Sequence, residues 1–107
     1  MIPDEKVEAA LEYLRTNAPK AAKAKAERIY MEEYRKTVKS NVMKRHLDMP
    51  LTAQEREAYS SAEYQQHLEA LRDAIQQDEL HRWGLVAAQA TIEAWRSFSA
   101  NKRGEKL

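Results

Sequence analysis

The sequence contains no cysteine, only two glycines and only three prolines among its 107 residues. The absence of cysteine excludes disulfides, thiolate metal sites and cysteine nucleophiles together. A scarcity of turn-forming residues combined with 33% charged residues is typical of long surface helices. We therefore predict an all-α protein, and the length is that of one domain.

Long apolar runs are also missing. No stretch approaches the length of a membrane span, and the start, MIPDEKVEAALEYL, lacks the basic region followed by an apolar one that a signal peptide has. We therefore expect a cytoplasmic protein that makes no membrane contact.

The residue patterns that support catalysis are few. Gly84 and Gly104 build no phosphate-binding loop, and no serine lies at a telling spacing from a histidine. Glu63 and His67 share a helical face, as ligands of helical-bundle metal sites do, but the first two helices offer no inward carboxylate to complete such a site. We expect no enzyme activity, no catalytic residue, no metal and no cofactor.

Helix-forming segments account for nearly all of the chain. Residues 61–99 contain no proline and a single glycine, and as one helix they would extend roughly 58 Å. Pro19 is expected to end one helix and open the next. The predicted helices cover residues 4–16, 19–46, 53–59 and 61–99, followed by a basic tail at 100–107.

These segments predict a single helical domain over residues 1–107. Its core is a long antiparallel helical hairpin, coiled-coil-like, with a short helical elbow at 53–59 and an N-terminal buttressing helix. Two capping boxes, Thr52 with Glu55 and Ser60 with Glu63, are expected to open the elbow and the long helix.

Apolar stripes indicate how the hairpin packs. The second helix is expected to bury Ala22, Ala26, Ile29, Tyr30, Tyr34, Val38 and Val42. Opposite it, a seven-residue repeat in the long helix places Tyr64, Leu68, Leu71 and Ile75 on one face.

The same repeat becomes mostly polar after Ile75, so the apolar seam is expected to break. A different stripe then follows in the long helix: Leu80, Trp83, Ala87, Ala90, Ala94 and Phe98. The surface it meets could be the first helix, a second copy of the chain or another protein. Large aromatic anchors are typical of interfaces, so Trp83, Trp95 and Phe98 are the predicted partner interface of a homo-oligomer or a complex.

Charge is distributed in blocks although the net charge is only +1. Residues 20–45 hold nine Lys or Arg against three Glu, whereas residues 46–80 hold two Arg against eight acids. A basic helix can bind phosphates, and the predicted nucleic-acid contacts are Lys36, Lys39, Arg96, Lys102 and Arg103. The alternative is that the acidic block neutralises the basic one within the hairpin.

Two segments resemble small helical proteins encoded by tailed phages and prophages: residues 52–64, TAQEREAYSSAEY, and residues 92–103, IEAWRSFSANKR. The signature that carries the resemblance is Trp95, Arg96, Ser97, Ala100, Asn101 and Arg103, with Glu55, Arg56, Ala58 and Tyr64 in the elbow. Proteins of this kind are often encoded near phage genes for recombination and replication. The resemblance implies an accessory role in DNA metabolism.

Two function hypotheses result. The first is a non-enzymatic phage or prophage accessory in DNA recombination or replication, which binds a protein partner of host or phage origin and single-stranded DNA. The alternative is a pure protein–protein interaction module, such as an inhibitor of a host nuclease or defence complex, with no nucleic-acid affinity.

Overall fold

The structure is a computed structural model that describes residues 2–105. Within this range it consists of α1 (Asp4–Met43), a short 3-10 turn (Lys44–His46), α2 (Leu51–Ser60) and α3 (Ala62–Glu105), with no strand. The predicted all-α fold is confirmed. No helix in the described range is apolar over the length needed to cross a membrane.

The chain forms two compact units. The first unit combines Met1–Lys23 with Glu79–Leu107, and the second unit is Ala24–Asp78. Each unit therefore contains part of α1 and part of α3, and α2 belongs to the second.

The second unit is an antiparallel helical hairpin. Arg45 contacts Glu63, and further back along α1 the Met31 carbonyl contacts His67. As the residue number falls along α1 it rises along α3, which defines antiparallel packing. The predicted elbow is α2, whose Ala58 is completely buried.

The first unit places the beginning of α1 against the end of α3. Asp4 contacts Trp95, and Tyr13 contacts Gly84, so this pair of segments is antiparallel too. The N-terminal residues thus buttress the long helix, as predicted. Moreover, α3 runs through Gly84 without interruption.

The predicted boundary between helices 4–16 and 19–46 is wrong, because α1 continues through Pro19. Proline removes one backbone hydrogen bond, here to the carbonyl of Arg15. Both residues lie on the exposed side of α1, where water can satisfy that carbonyl. Two residues earlier, Asn17 Nδ2 donates to the Tyr13 carbonyl at 3.0 Å.

The other helix boundaries also shift. The 3-10 turn replaces the predicted end of the second helix, and α2 begins at Leu51 without a side-chain cap from Thr52. Ser61, rather than Ser60, caps α3, because its Oγ accepts the Tyr64 N–H at 3.2 Å. The described part of the predicted tail, residues 100–105, is helical and belongs to α3.

The seam of α3 shares every second residue with the predicted seven-residue repeat. The seam residues between them lie one position earlier in the sequence than predicted. In the second unit the buried or half-buried seam is Tyr64, His67, Leu71, Ala74 and Asp78. In the first unit the same spacing gives His81, Leu85, Ala88, Ile92 and Trp95. The predicted break in the repeat is therefore wrong, and the small Ala74 and Ala88 take positions that sequence reasoning gave to larger neighbours.

The seam of α1 agrees with the prediction at Val38 and Val42 and is displaced before them. In the second unit it consists of Ala24, Arg28, Met31, Val38 and Val42, and in the first of Val7, Ala10, Leu14, Asn17 and Ala21. The expected burial of Ala22, Ala26, Ile29, Tyr30 and Tyr34 is wrong, since all five are exposed.

Candidate interaction surfaces

One side of α3 in the first unit is an exposed apolar surface, which we call the outer face. It consists of Leu80, Trp83, Ala87, Ala90, Ala94 and Phe98, all exposed. Trp83 is 60% exposed, Leu80 59% and Phe98 43%. The stripe predicted from the sequence therefore exists, and the α1 segment of this unit packs on the other side of α3.

The predicted interface residues do not all lie on the outer face. Trp95 belongs to the seam, where its Nε1 donates to Asp4 Oδ1 at 3.3 Å. Trp95 and Phe98 both line a hollow of about 300 Å³ beside Ile2 and Lys102. Trp83 lies apart from this hollow, with the Arg82 guanidinium 5.3 Å from its ring centroid.

A shallow groove of about 450 Å³ borders the outer face. Ala9 and Tyr13 of α1 line one side, and Gly84, Ala87 and Thr91 of α3 line the other. A Cβ atom added at Gly84 would overlap the Tyr13 hydroxyl and lie 2.9 Å from its Cζ. Gly84 thus provides room for the Tyr13 ring, a role that the sequence alone does not indicate.

Three of the predicted phosphate-binding residues lie together near the end of α3. Arg96, Lys102 and Arg103 are exposed and line a hollow of about 720 Å³ that also includes Glu93. Glu93 Oε1 accepts from Arg96 Nη1 at 2.8 Å, which offsets part of the positive charge.

The other two predicted residues, Lys36 and Lys39, lie in the second unit. They line a hollow of about 350 Å³ with Arg35, Tyr59 and Tyr64, which we call the basic hollow. Sequence reasoning missed the last three residues, because α2 brings Tyr59 beside α1 and no local pattern predicts that contact.

Local contacts hold the basic hollow in place. Lys39 Nζ lies 4.8 Å from the Tyr59 ring centroid and 3.7 Å from Glu55 Oε1. The Tyr59 side chain, and then the Glu55 carboxylate, raise the pKa of Lys39 above its ordinary value. Tyr64 packs edge-to-face on Tyr59 at 5.2 Å. Lys39 therefore remains a cation at neutral pH with an exposed aromatic ring beside it.

Two further tyrosines are exposed on α1. Tyr30 is 62% exposed and stacks on Tyr34 at 5.8 Å between ring centroids. Tyr34 in turn lies 5.8 Å from the His67 ring. Single-strand binders use exposed aromatic rings for base stacking, so the exposure of Tyr30 and Tyr34, which the sequence predicts to be buried, is consistent with nucleic-acid binding.

The acidic block neutralises part of the basic helix. Cross-helix ion pairs join Arg28 to Asp78 at 3.0 Å and Arg45 to Glu63 at 3.3 Å. Lys36 pairs with Glu33 one turn earlier on α1. By contrast, Lys20, Lys23, Lys25, Arg35 and Lys44 are exposed and form no ion pair among the described residues.

His67 has a structural contact. His67 Nε2 lies 2.7 Å from the Met31 carbonyl oxygen, which can only accept, so Nε2 carries the proton. Among the described side chains, no group of three His, Asp or Glu is placed to hold a metal ion.

The fold defines the class of protein: an all-α helical hairpin with exposed apolar and basic surfaces. The chain matches no protein-family model, no curated protein sequence and no solved structure.

Proposed function

We propose that this chain is a non-enzymatic binding protein that recognises another protein through the outer face of α3. The observation that carries the proposal is the exposure of Trp83, Leu80 and Phe98 on one side of one helix. Contiguous exposed apolar surface of this kind marks an interaction site in soluble proteins.

The outer face has the form that binds a helix. Its apolar residues recur every three or four positions, the spacing by which an amphipathic helix presents anchors to a partner. Trp83 supplies a large anchor, and the alanines between the large residues allow close helix approach. An amphipathic partner helix, whose apolar residues recur every three or four positions, fits this surface better than a polar ligand.

Two variants test the protein-binding role. Affinity capture from host and phage extracts identifies a partner, which is then purified and titrated directly. Trp83→Glu should weaken its binding at least tenfold. Gln89→Glu introduces the same charge on an exposed position of α3 outside the outer face and should leave binding unchanged. Equal affinities for both variants would refute the role of the outer face.

Single-stranded DNA is the second candidate ligand, favoured by the basic hollow. Arg35, Lys36 and Lys39 offer cations for phosphates, and Tyr59, 46% exposed, offers a ring for base stacking. Arg96, Lys102 and Arg103 add cations in the first unit.

The measurement is fluorescence anisotropy of a labelled oligonucleotide at low and moderate salt. If the protein binds DNA through phosphate contacts, affinity should fall steeply as salt rises. No binding at micromolar protein would leave the pure protein–protein module as the function.

The resemblance to tailed-phage and prophage proteins implies a biological process in which these binding roles would operate. We place the chain in the cytoplasm as an accessory of phage DNA recombination or replication. Measured DNA binding would support this role. Partner binding without DNA affinity would support the alternative, an inhibitor of a host nuclease or defence complex.

A further inference from the structure

We propose that the basic hollow binds the phosphorylated end of a DNA single strand, with the terminal phosphate on its cations and the adjacent base on the Tyr59 ring. This inference rests on single-stranded DNA as the second candidate ligand and names the part of the strand that is recognised. The charge, the borders and the size of the hollow each favour the end of a strand over its interior.

The positive charge of the hollow is concentrated in a small volume. Arg35, Lys36 and Lys39 lie within little more than one turn of α1, and all three line the hollow. A terminal phosphate is a monoester with a charge of about −1.5 to −2 at pH 7, whereas each phosphate inside a strand carries a single negative charge. Three cations this close together therefore attract the end of a strand more strongly than its interior.

Carboxylates border these cations on two helices. Glu33 Oε2 of α1 lies 3.1 Å from Lys36 Nζ, and Glu55 Oε1 of α2 lies 3.7 Å from Lys39 Nζ. A strand that passed through the hollow would bring phosphates on both sides of the bound one towards these carboxylates, and like charges repel. A strand end has a neighbouring phosphate on one side only, so it meets less of that repulsion.

Arg35 is the cation most available to the terminal phosphate. It is exposed and forms no ion pair among the described residues, whereas Lys36 and Lys39 each have a carboxylate partner. A guanidinium can donate two parallel hydrogen bonds to phosphate oxygens. The pair between Lys36 and Glu33 is exposed on both sides, so exchanging that carboxylate for a phosphate costs little.

The size of the hollow matches a single terminal nucleotide better than a run of nucleotides. Its volume of about 350 Å³ is at the lower end of the roughly 300–1,000 Å³ typical of small-ligand sites. Tyr64 packs edge-to-face on the Tyr59 ring at 5.2 Å, and Lys39 Nζ lies 4.8 Å from the centroid of the same ring. The ring is thus held beside the cations, where the base next to the bound phosphate can stack on it.

Oligonucleotides that differ only at their ends test the inference. One sequence with an internal fluorescent label is prepared with a 5′-phosphate, with a 3′-phosphate and with hydroxyl groups at both ends. In anisotropy titrations at moderate salt, a strand with a terminal phosphate should bind about tenfold more tightly than the strand without one, the effect of one charge-assisted hydrogen bond. The two phosphorylated strands show which end is bound.

Two matched variants assign the preference to the hollow. Arg35→Gln should abolish the preference for a terminal phosphate. Lys25→Gln removes another exposed cation of α1 that forms no ion pair among the described residues and lies outside the hollow, and it should keep the preference in full. Circular dichroism verifies that both variants remain helical.

The outcomes separate this inference from DNA binding itself. Equal affinities of the native chain for all three strands would overturn the inference and leave DNA binding standing, and so would a preference that survives Arg35→Gln. No binding of any strand at micromolar protein would refute DNA binding as well.

Discussion

Arg28 Nη1 lies 3.0 Å from Asp78 Oδ2, and both residues occupy seam positions of the second unit. Asp78 is buried, and Arg28 Nε is buried with no hydrogen-bond partner among the described atoms, since Glu32 Oε1 lies 3.7 Å away. Buried ion pairs seldom add much stability but can fix which residues face each other. We infer that this pair sets the register of α1 against α3 in the hairpin.

Removal of one partner should be costly. Asp78→Ala leaves the Arg28 guanidinium without its carboxylate in a largely buried site, and we expect a loss of about 2 kcal/mol in unfolding free energy. This is below the full cost of a buried pair because 27% of the Arg28 side chain is exposed. Urea unfolding followed by circular dichroism measures the change.

Two controls accompany that variant. Asp73→Ala removes an exposed carboxylate on the same helix and should change stability by less than about 0.5 kcal/mol. Replacing both seam residues, Arg28→Met with Asp78→Leu, should restore most of the lost stability, because apolar pairs of similar size replace buried ion pairs well. A double variant as unstable as Asp78→Ala would contradict this account.

The fit of Tyr13 against Gly84 predicts a coupling between two substitutions. An alanine in place of an exposed helical glycine normally adds about 1 kcal/mol of stability. Here the new Cβ overlaps the Tyr13 ring, so Gly84→Ala should add nothing or destabilise. In a Tyr13→Ala background the same substitution should stabilise by about 1 kcal/mol.

A double-mutant cycle measured by urea unfolding gives the coupling energy directly. As a control, Gly104→Ala should stabilise by a few tenths of a kcal/mol with or without Tyr13, because nothing lies within 4 Å of a Cβ added there. Equal effects of Gly84→Ala in both backgrounds would show that Tyr13 moves aside freely.

The sequence predicted the elements of this fold better than the faces they bury. Composition was sufficient to predict long helices, and two closely spaced capping signals to predict an elbow, although Thr52 makes no cap and Ser61 rather than Ser60 caps α3. The α3 seam was misassigned at Ile75 because it is more hydrophobic than Ala74, yet close helix packing selects the smaller residue, whereas Leu68 is half-buried as His67 is. Repeats of seven residues do not by themselves specify which neighbouring position completes the seam.

The outer face and the basic hollow also differ in how far the sequence predicts them. The outer face was visible from the spacing of Leu80, Trp83 and Phe98 alone, because it needs no knowledge of the fold. Only some residues of the basic hollow could be predicted from the sequence. Lys36 and Lys39 stand out on α1, but Tyr59 reaches them only through the path of the chain between α1 and α3.

Pro19 offers a direct test of why α1 continues where the sequence predicts an end. Pro19→Ala restores one backbone hydrogen bond and removes a steric clash, worth about 3 kcal/mol in a helix interior. The unfolded chain also gains freedom, which offsets up to about 1 kcal/mol. We expect a net gain of about 2 kcal/mol in unfolding free energy.

Thermal and urea unfolding measure this gain, and Lys20→Ala serves as the neighbouring exposed control, with a change below about 0.5 kcal/mol. Unchanged stability in Pro19→Ala would mean that the helix absorbs the proline without cost at this exposed position.

The basic hollow predicts different effects for its cation and its ring. Arg35→Ala should reduce the slope of log affinity against log salt for an oligonucleotide by about one, because one phosphate contact is lost. Tyr59→Ala should weaken binding about tenfold and leave that slope unchanged, since stacking on one base is worth about 1–3 kcal/mol and releases no counterion. Tyr59→Phe keeps the ring and should bind as the native chain does. Anisotropy titrations over several salt concentrations separate these outcomes. If Arg35→Ala and Tyr59→Ala both leave affinity and slope unchanged, DNA does not bind at the basic hollow.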